Sequence, residues 1–155
     1  SLAAGADEID AVLPYRALRS GDVERCHRML ALFRRASGIA RLKVILETGE
    51  LTPTEIAEAS RMAIDAGADF IKTSTGKATV NATQAAAATM LDAIVERGGR
   101  CGFKAAGGIR TVEAALGYLR LAEQRLGRDW PTAARFRIGA STLVGELHER
   151  LATPT

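Results

Sequence analysis

Five short apolar segments recur along the 155-residue chain at a nearly constant interval, and this interval constrains the fold more than any other feature. Each favours a β-strand, and a helical pattern follows every one of them before the next segment begins. The predicted strands are Ile9–Leu13, Leu42–Leu46, Phe70–Thr73, Gly102–Ala105 and Phe136–Gly139. Strands that alternate with helices are typical of parallel βα units, so the sequence predicts an α/β fold.

The helical patterns between the strands carry clear start and stop signals. Thr52 and Glu55 form a capping box with Pro53 at the first helical position, and Gly67 follows the end of that helix. The predicted helices are Val23–Ala36, the segment from Pro53 to Gly67, Thr83–Arg97, Thr111–Leu126 and Thr142–Leu151. No domain boundary is visible, and we expect residues 1–155 to form part of a single domain.

Every predicted strand carries one ionisable residue near its centre. These residues are Asp10, Lys43, Lys72, Lys104 and Arg137, separated by 33, 29, 32 and 33 positions. A charge inside a buried strand is costly unless it is paired or hydrogen-bonded. Five charges at equivalent heights therefore predict a shared polar interior. A purely structural salt-bridge cluster is the alternative, although here the cations outnumber the single aspartate.

The geometry of that interior distinguishes two architectures. A closed (β/α)8 TIM barrel collects such side chains at one centre, whereas an open doubly wound sheet spreads them over about 20 Å. At about 31 residues per unit, eight units need about 250 residues, and this chain supplies five units. It is therefore either a five-stranded open sheet of the flavodoxin type or the last five-eighths of a barrel.

Composition excludes several classes of protein. The chain is 47% hydrophobic and 25% charged, with a net charge of +3, so it is neither disordered nor built around a nucleic-acid-binding stripe. No apolar run is long enough to span a membrane. Cys26 and Cys101 lack metal-site spacing and are expected to be reduced, as in a cytoplasmic protein. His27 and His148 lie on charged helical stretches and are predicted to be surface residues, so no metal site is expected.

The lysines on neighbouring strands indicate amine chemistry. Burial and a second nearby cation both disfavour the charged form of a lysine, which makes its amine nucleophilic. Lys72 and Lys104 have this relationship, and attack on a carbonyl would form a Schiff base that serves as an electron sink. Asp10 could then move protons, and Lys43 could orient it. This chemistry requires no cofactor.

Glycine, hydroxyl and basic residues follow three of the strands. The segments are 73–77 (TSTGK), 107–110 (GGIR) and 139–142 (GAST). Exposed backbone N–H groups, hydroxyls and cations together favour anion binding, and barrels often bind phosphate in their last loops. The alternative is that these segments are only tight βα turns.

The same residues resemble a known family. The matching segments are GADEID at 5–10, PYR at 14–16, KVILETGEL at 43–51, AGADFIKTSTGK at 66–77, GFKAAGGIR at 102–110 and FRIGAS at 136–141. In order and spacing they are similar to deoxyribose-phosphate aldolase, over nearly the whole chain.

That resemblance implies a class I aldolase on a TIM barrel, which reversibly cleaves 2-deoxy-D-ribose 5-phosphate to D-glyceraldehyde 3-phosphate and acetaldehyde. By motif position, Lys72 would be the Schiff-base lysine, Lys104 the second lysine that lowers its pKa, and Asp10 the proton-transfer carboxylate, with Lys43 beside it. The residues around the substrate phosphate would be Gly76, Lys77, Gly107, Gly108, Arg110, Gly139 and Ser141.

The sequence also departs from the family pattern. Members usually begin three βα units earlier, so this chain resembles strands four to eight only. Ala105 replaces a usual proline and Thr142 a common serine, while the segment 152–155 offers no terminal tyrosine of the kind that some members place in the site. Because the chain also begins without methionine, we expect the missing strands to come from an N-terminal segment, another polypeptide or an associating copy.

Two further interpretations stay open at this point. The chain could be a catalytically incomplete partial barrel that binds phosphate and needs another chain or segment. It could also be a related Schiff-base aldolase that uses a different aldehyde donor. In each case the expected ligands are small phosphorylated sugars and aldehydes.

Overall fold

The computed structural model describes residues 5–152. The features noted above at the first four and last three positions lie outside this range. Among the described residues, no helix combines the length and the apolar character that crossing a membrane demands.

Strands and helices alternate through the described chain. The strands are β1 (Glu8–Val12), β2 (Arg41–Ile45), β3 (Phe70–Lys72), β4 (Gly102–Ala106) and β5 (Phe136–Gly139). The helices are α1 (Tyr15–Arg19), α2 (Val23–Ser37), α3 (Pro53–Asp65), α4 (Gln84–Glu96), α5 (Val112–Leu126) and α6 (Leu143–Ala152), and a 3₁₀ turn (Thr48–Glu50) precedes α3. The predicted strands and helices are thus confirmed to within two residues at each end.

The local signals act as the sequence indicated. The Thr52 hydroxyl accepts a hydrogen bond from the backbone N–H of Glu55, and the Glu55 carboxylate accepts one from the N–H of Thr52 at 2.7 Å. The short helix α1 and the 3₁₀ turn were not predicted, because each is too short to display a helical period.

The five strands form one parallel sheet in the order β1-β2-β3-β4-β5. A doubly wound open sheet requires a reversal of strand order, which this sheet lacks, so the flavodoxin-type alternative is wrong. Right-handed crossovers place successive helices on the same face, and α4 packs against both α3 and α5. The architecture is a singly wound α/β sheet, consistent with part of a TIM barrel.

The apolar core lies between the sheet and its helices. Ile71 and Phe103 are fully buried in this core. Because successive side chains on a strand point to opposite faces, Lys72 and Lys104 project from the inner face. The alternation explains how each strand carries both a core residue and a charged residue.

The register corrects one prediction about the charged residues. Lys43 lies opposite Phe70, and Lys72 lies opposite Ile45, so the predicted common height fails between β2 and β3 by two residues. A two-residue step keeps the side chains on the same face of the sheet. Strands in a curved sheet are tilted and staggered, and such a step keeps inner side chains close together.

An ion pair between the first and last strands shows how strongly the sheet curves. In a flat sheet β1 and β5 would lie about 19 Å apart. Here the Arg137 guanidinium donates two hydrogen bonds to the Glu8 carboxylate, at 2.6 and 2.9 Å. Arg137 also lies 4.6 Å from the centroid of the Phe70 ring, and a side chain at Gly102 would clash with this ring. The inner face is therefore concave, and its charged side chains converge.

We expect the substitution Glu8→Gln to destabilise the protein by roughly 1–3 kcal/mol at pH 7, because it removes a charged partner from Arg137 and Lys43. The hydrogen bond from Arg137 is the main cause that lowers the pKa of Glu8 from 4.5 to about 2. A lowered folded-state pKa contributes stability above pH 4.5 that is lost as the pH falls towards 2. The acid limb of the stability curve should therefore flatten in the variant.

Urea unfolding between pH 2 and pH 7 measures this effect, with Glu24→Gln on the exposed face of α2 as the matched control. Equal stability and an unchanged acid limb in Glu8→Gln would show that the cross-sheet pair does not hold the curvature.

Candidate active site

A cavity of about 550 Å³ opens at the carboxyl ends of β3, β4 and β5. Lys72 and Lys104 line this cavity together with the loops that follow the three strands. Ligand sites in parallel α/β folds form at the carboxyl ends of the strands, because the variable loops meet there. The cavity is therefore the candidate active site.

Lys72 and Lys104 lie directly opposite each other on the adjacent parallel strands β3 and β4. The Lys72 side chain is only 13% exposed. The structure places both predicted lysines in the lining of one cavity, because the register pairs them and the alternation of the strands turns both inward.

The Asp10 carboxylate is hydrogen-bonded to two lysine side chains. Its carboxylate accepts a hydrogen bond from Lys43 Nζ at 2.5 Å and another from Lys72 Nζ at 2.8 Å. Burial raises the pKa of Asp10, but these two cations outweigh it and leave the pKa below its usual value. Asp10 is thus an ionised carboxylate in direct contact with the Lys72 amine, as expected for a group that exchanges protons with it.

Lys43 remains a cation in this arrangement. Burial alone would lower its pKa, but hydrogen bonds to Asp10 and Glu8 raise it above the usual value. The Lys43 side chain is 7% exposed and connects the two carboxylates, with its Nζ 3.1 Å from Glu8. Lys43 is therefore a paired cation that contacts Asp10, and its amine is not available as a nucleophile.

Lys104 has a different environment. Within residues 5–152 no carboxylate forms an ion pair with it. Burial is the largest cause that lowers the pKa of Lys104, and the charge of Lys72 adds to it. The surroundings of Lys104 therefore favour its neutral form more than water does.

Glu8 is a member of this cluster that the sequence reasoning missed. It contacts Lys43 and Arg137 on the inner face of the sheet, so Asp10 is not the only acid there. The expectation of a single carboxylate is corrected, and the structural salt-bridge interpretation applies to this half of the cluster. Glu8 precedes Asp10 by two residues, and the period of two along a strand was the available signal.

Six of the seven predicted phosphate-binding residues line the cavity, and one does not. The six are Gly76, Gly107, Gly108, Arg110, Gly139 and Ser141. Lys77 is exposed and does not contribute to the cavity wall, although its neighbour Gly76 does. Glycine backbone, a serine and an arginine thus contribute to the cavity wall, which is a composition suited to an oxyanion.

Close packing between the loops explains the glycine at position 107. Gly107 has a positive φ of 95°, and a Cβ there would lie 2.5 Å from the Ser74 hydroxyl oxygen. Ser74 in turn donates a hydrogen bond to the carbonyl of Ala106 at 2.7 Å and contacts Asn81. Ser74 and Asn81 therefore pack the β3 loop against the β4 loop. The sequence did not predict a role for either residue.

The remaining polar candidates lie away from the cavity. Cys26 and Cys101 are buried and free, and His27 and His148 are exposed, as predicted. Across the part of the chain that the structure describes, no group of three or more histidine, cysteine, aspartate or glutamate residues could hold a metal ion.

Comparison with known proteins gives a consistent assignment. The family model for DeoC/LacD family aldolase matches residues 1–143. The solved aldolase QR15 is 31% identical, with a TM-score of 0.79 over 97% of this chain and 63% of that chain. A protein from Toxoplasma gondii ME49, assigned as a deoxyribose-phosphate aldolase, is 28% identical, with a TM-score of 0.89 over 99% of this chain and 62% of that one.

The tetrameric deoxyribose phosphate aldolase of Aeropyrum pernix is 27% identical, with a TM-score of 0.73, and the match covers 97% of this chain and 58% of that one. The chain thus spans 55 to 63% of the length of the solved structures compared with it. A match over almost all of the present chain, with the family motifs in order and a common fold, establishes that this chain belongs to the DeoC/LacD aldolase family.

Proposed function

We propose that this chain carries the catalytic part of an aldolase that cleaves 2-deoxy-D-ribose 5-phosphate through a Schiff base on Lys72. The observation that carries the proposal is the pairing of Lys72 and Lys104 in one sheltered cavity, with Asp10 hydrogen-bonded to Lys72 at 2.8 Å. Membership of an aldolase family supports it.

In the proposed reaction the neutral Lys72 amine attacks the aldehyde carbon C1 of the open-chain sugar. Loss of water from the carbinolamine gives a protonated imine. A base removes the proton of the 3-hydroxyl, the C2–C3 bond breaks, and its electron pair moves to the imine nitrogen as glyceraldehyde 3-phosphate forms. The resulting enamine takes a proton at C2, and water then releases acetaldehyde and restores the amine.

The contacts assign a role to each polar neighbour. Lys104 lies opposite Lys72, and its lowered pKa suits its amine to accept a proton from Lys72. Asp10 contacts Lys72 directly and transfers protons to and from the reacting atoms, either directly or through water. Lys43 holds Asp10 in place through its short hydrogen bond. The three groups therefore prepare Lys72 for attack without a metal or cofactor.

The glycine-rich loops that line the cavity accommodate the phosphate of the substrate. Gly107, Gly108 and Gly139 present backbone close to the cavity, and Arg110 and Ser141 add charge and a hydroxyl. Gly76 and Lys77 belong to the neighbouring β3 loop, and Lys77 contributes its charge from the exposed side of that loop. A phosphate held there would fix the sugar with its aldehyde towards the lysines.

Trapping identifies the nucleophile. Incubation with acetaldehyde and sodium borohydride should leave a reduced two-carbon adduct on Lys72, detected by peptide mass spectrometry. Lys77→Ala serves as a control that leaves the proposed nucleophile in place. An active protein whose Lys72 stays unmodified would remove this mechanism.

Two substitutions separate the charge of Lys104 from its ability to accept a proton. We expect Lys104→Leu to lower kcat by about 10²-fold or more at pH 7, since a positioned acid or base contributes about 10²–10⁴-fold. Lys104→Arg keeps the positive charge but cannot lose a proton, so it should be similarly impaired. Steady-state rates from pH 6 to pH 10 provide the measurement, and substantial activity in the arginine variant would assign Lys104 a purely electrostatic role.

We also propose that the five strands correspond to strands four to eight of an eight-stranded barrel, so that the chain is its C-terminal five-eighths. Among the described residues, β1 and β5 are each paired on one side only, and the compared structures belong to longer chains. Unpaired parallel edges favour association. An N-terminal segment or a second copy would complete the wall between β1 and β5.

Light scattering tests this completion. The 155-residue chain purified alone should associate or melt without cooperativity, whereas a cooperatively melting species of single-chain mass would contradict the proposal. Intact mass measurement of the purified material shows in addition whether a second polypeptide accompanies the chain.

The open wall also favours a second candidate function, a phosphate-binding partial barrel without turnover. It predicts phosphate affinity but no retro-aldol activity in a coupled assay of the isolated chain, with activity restored only by a completing segment. A related Schiff-base aldolase would instead accept a donor aldehyde other than acetaldehyde, which a donor series in the same assay identifies. The free buried cysteines support a reducing, cytoplasmic location for each of these functions.

A further inference from the structure

Glu47 has an unusual backbone conformation directly after β2. Its φ and ψ are 58° and 57°, and it is the only non-glycine residue with a positive φ within residues 5–152. A side chain in the left-handed region costs free energy that glycine would not pay, and such residues concentrate at functional sites. The turn geometry therefore does not explain why the position carries a glutamate.

The side chain of Glu47 is committed to one partner. Glu47 is 5% exposed, and its carboxylate accepts a hydrogen bond from the Thr75 hydroxyl at 2.6 Å and another from the Thr75 N–H at 3.2 Å. The Thr75 hydroxyl in turn accepts the N–H of Lys77 at 3.2 Å. One buried carboxylate thus holds Thr75 directly, and Thr75 in turn holds Lys77.

The turn that contains Glu47 also packs directly against the backbone of the β3 loop. The N–H of Thr48 donates to the carbonyl of Thr73 at 2.9 Å. A Cβ on Gly49 would lie 1.9 Å from the carbonyl oxygen of Val80, so the two backbones are in direct contact. The loop is therefore held at both ends by backbone contacts, and its middle is held by Glu47.

The middle of the loop is also the part that borders the cavity. Thr75 and Gly76 line the cavity of the candidate active site, whereas Glu47 itself does not. Gly76 has a positive φ of 85°, a Cβ added there would meet no atom within 4 Å, and its N–H donates to the Ser74 hydroxyl at 3.3 Å. The hydrogen bonds from Thr75 to Glu47 are the contacts that fix this wall relative to β2.

We propose that Glu47 is a positioning residue for phosphate binding: its carboxylate holds the Thr75–Gly76 wall of the cavity in the conformation that receives the substrate phosphate. This inference rests on the proposed function, because it assumes that the cavity binds a phosphorylated sugar. Without the carboxylate, the wall would have to be ordered when the ligand binds, which weakens binding.

Three variants at position 47 separate positioning from turn geometry. Glu47→Gly removes the carboxylate but suits the left-handed backbone, so its melting temperature should equal or exceed that of the unmodified protein. Glu47→Gln keeps an oxygen that can accept from Thr75 but lacks the charge. Glu24→Gln on α2 is the control for loss of a carboxylate far from the cavity.

The probes are inorganic phosphate, titrated by ³¹P NMR, and 2-deoxy-D-ribose 5-phosphate in steady-state kinetics. In Glu47→Gly we expect the dissociation constant for phosphate and the KM to rise about tenfold, as for the loss of one charge-assisted hydrogen bond, with a smaller change in kcat. Glu47→Gln should fall between the two proteins. Amide exchange at Lys77 should accelerate in the glycine variant.

Phosphate affinity in Glu47→Gly that equals or exceeds that of the unmodified protein would overturn the inference, as would absence of phosphate binding by the unmodified protein. Acetaldehyde trapping on Lys72 reports separately on the proposed reaction, because acetaldehyde carries no phosphate. Loss of trapping with intact phosphate binding would refute the aldolase function and leave the role of Glu47 supported.

Discussion

Two carboxylates, Glu8 and Asp10, form ion pairs with three cations on the concave face of the sheet and leave a fourth, Lys104, without one. The rest of the site depends on this difference. Glu8 is occupied by Arg137 and Lys43. Asp10 is occupied by Lys43 and Lys72. A cationic side chain in a sheltered interior is costly unless it is paired or loses its proton. Within residues 5–152 no carboxylate forms an ion pair with Lys104. Burial therefore disfavours its ammonium form without compensation and lowers its pKa.

The same cluster therefore has a structural part and a chemical part. The ion pair between Glu8 and Arg137 joins the first strand to the last across the concave face of the sheet. Curvature brings Asp10 of β1 to Lys72 of β3, two strands away. In a flat sheet these two residues would lie about 10 Å apart at the backbone. The Glu8–Arg137 pair and the contact between Asp10 and Lys72 are thus both features of a curved sheet.

The loops add a second level of organisation above the charged interior. Ser74 and Gly107 pack the β3 loop onto the β4 loop, and Glu47 ties the same loop to β2. The cavity wall is therefore held from both sides by neighbouring loops. The lysines of β3 and β4 and the glycine-rich loops that follow these strands therefore line one cavity.

The sequence by itself determined the alternating elements, the inward position of Lys72 and Lys104, and the family. These properties depend on periodicity and on short local motifs, such as the capping box at Thr52, and local signals are read directly from the chain. Only the tertiary structure decided the two-residue shift between β2 and β3, the curvature closed by Glu8 and Arg137, and the partner of Glu47. Each of those joins residues about 27 to 129 positions apart, and such distant pairings arise from packing of the whole sheet rather than from any segment alone.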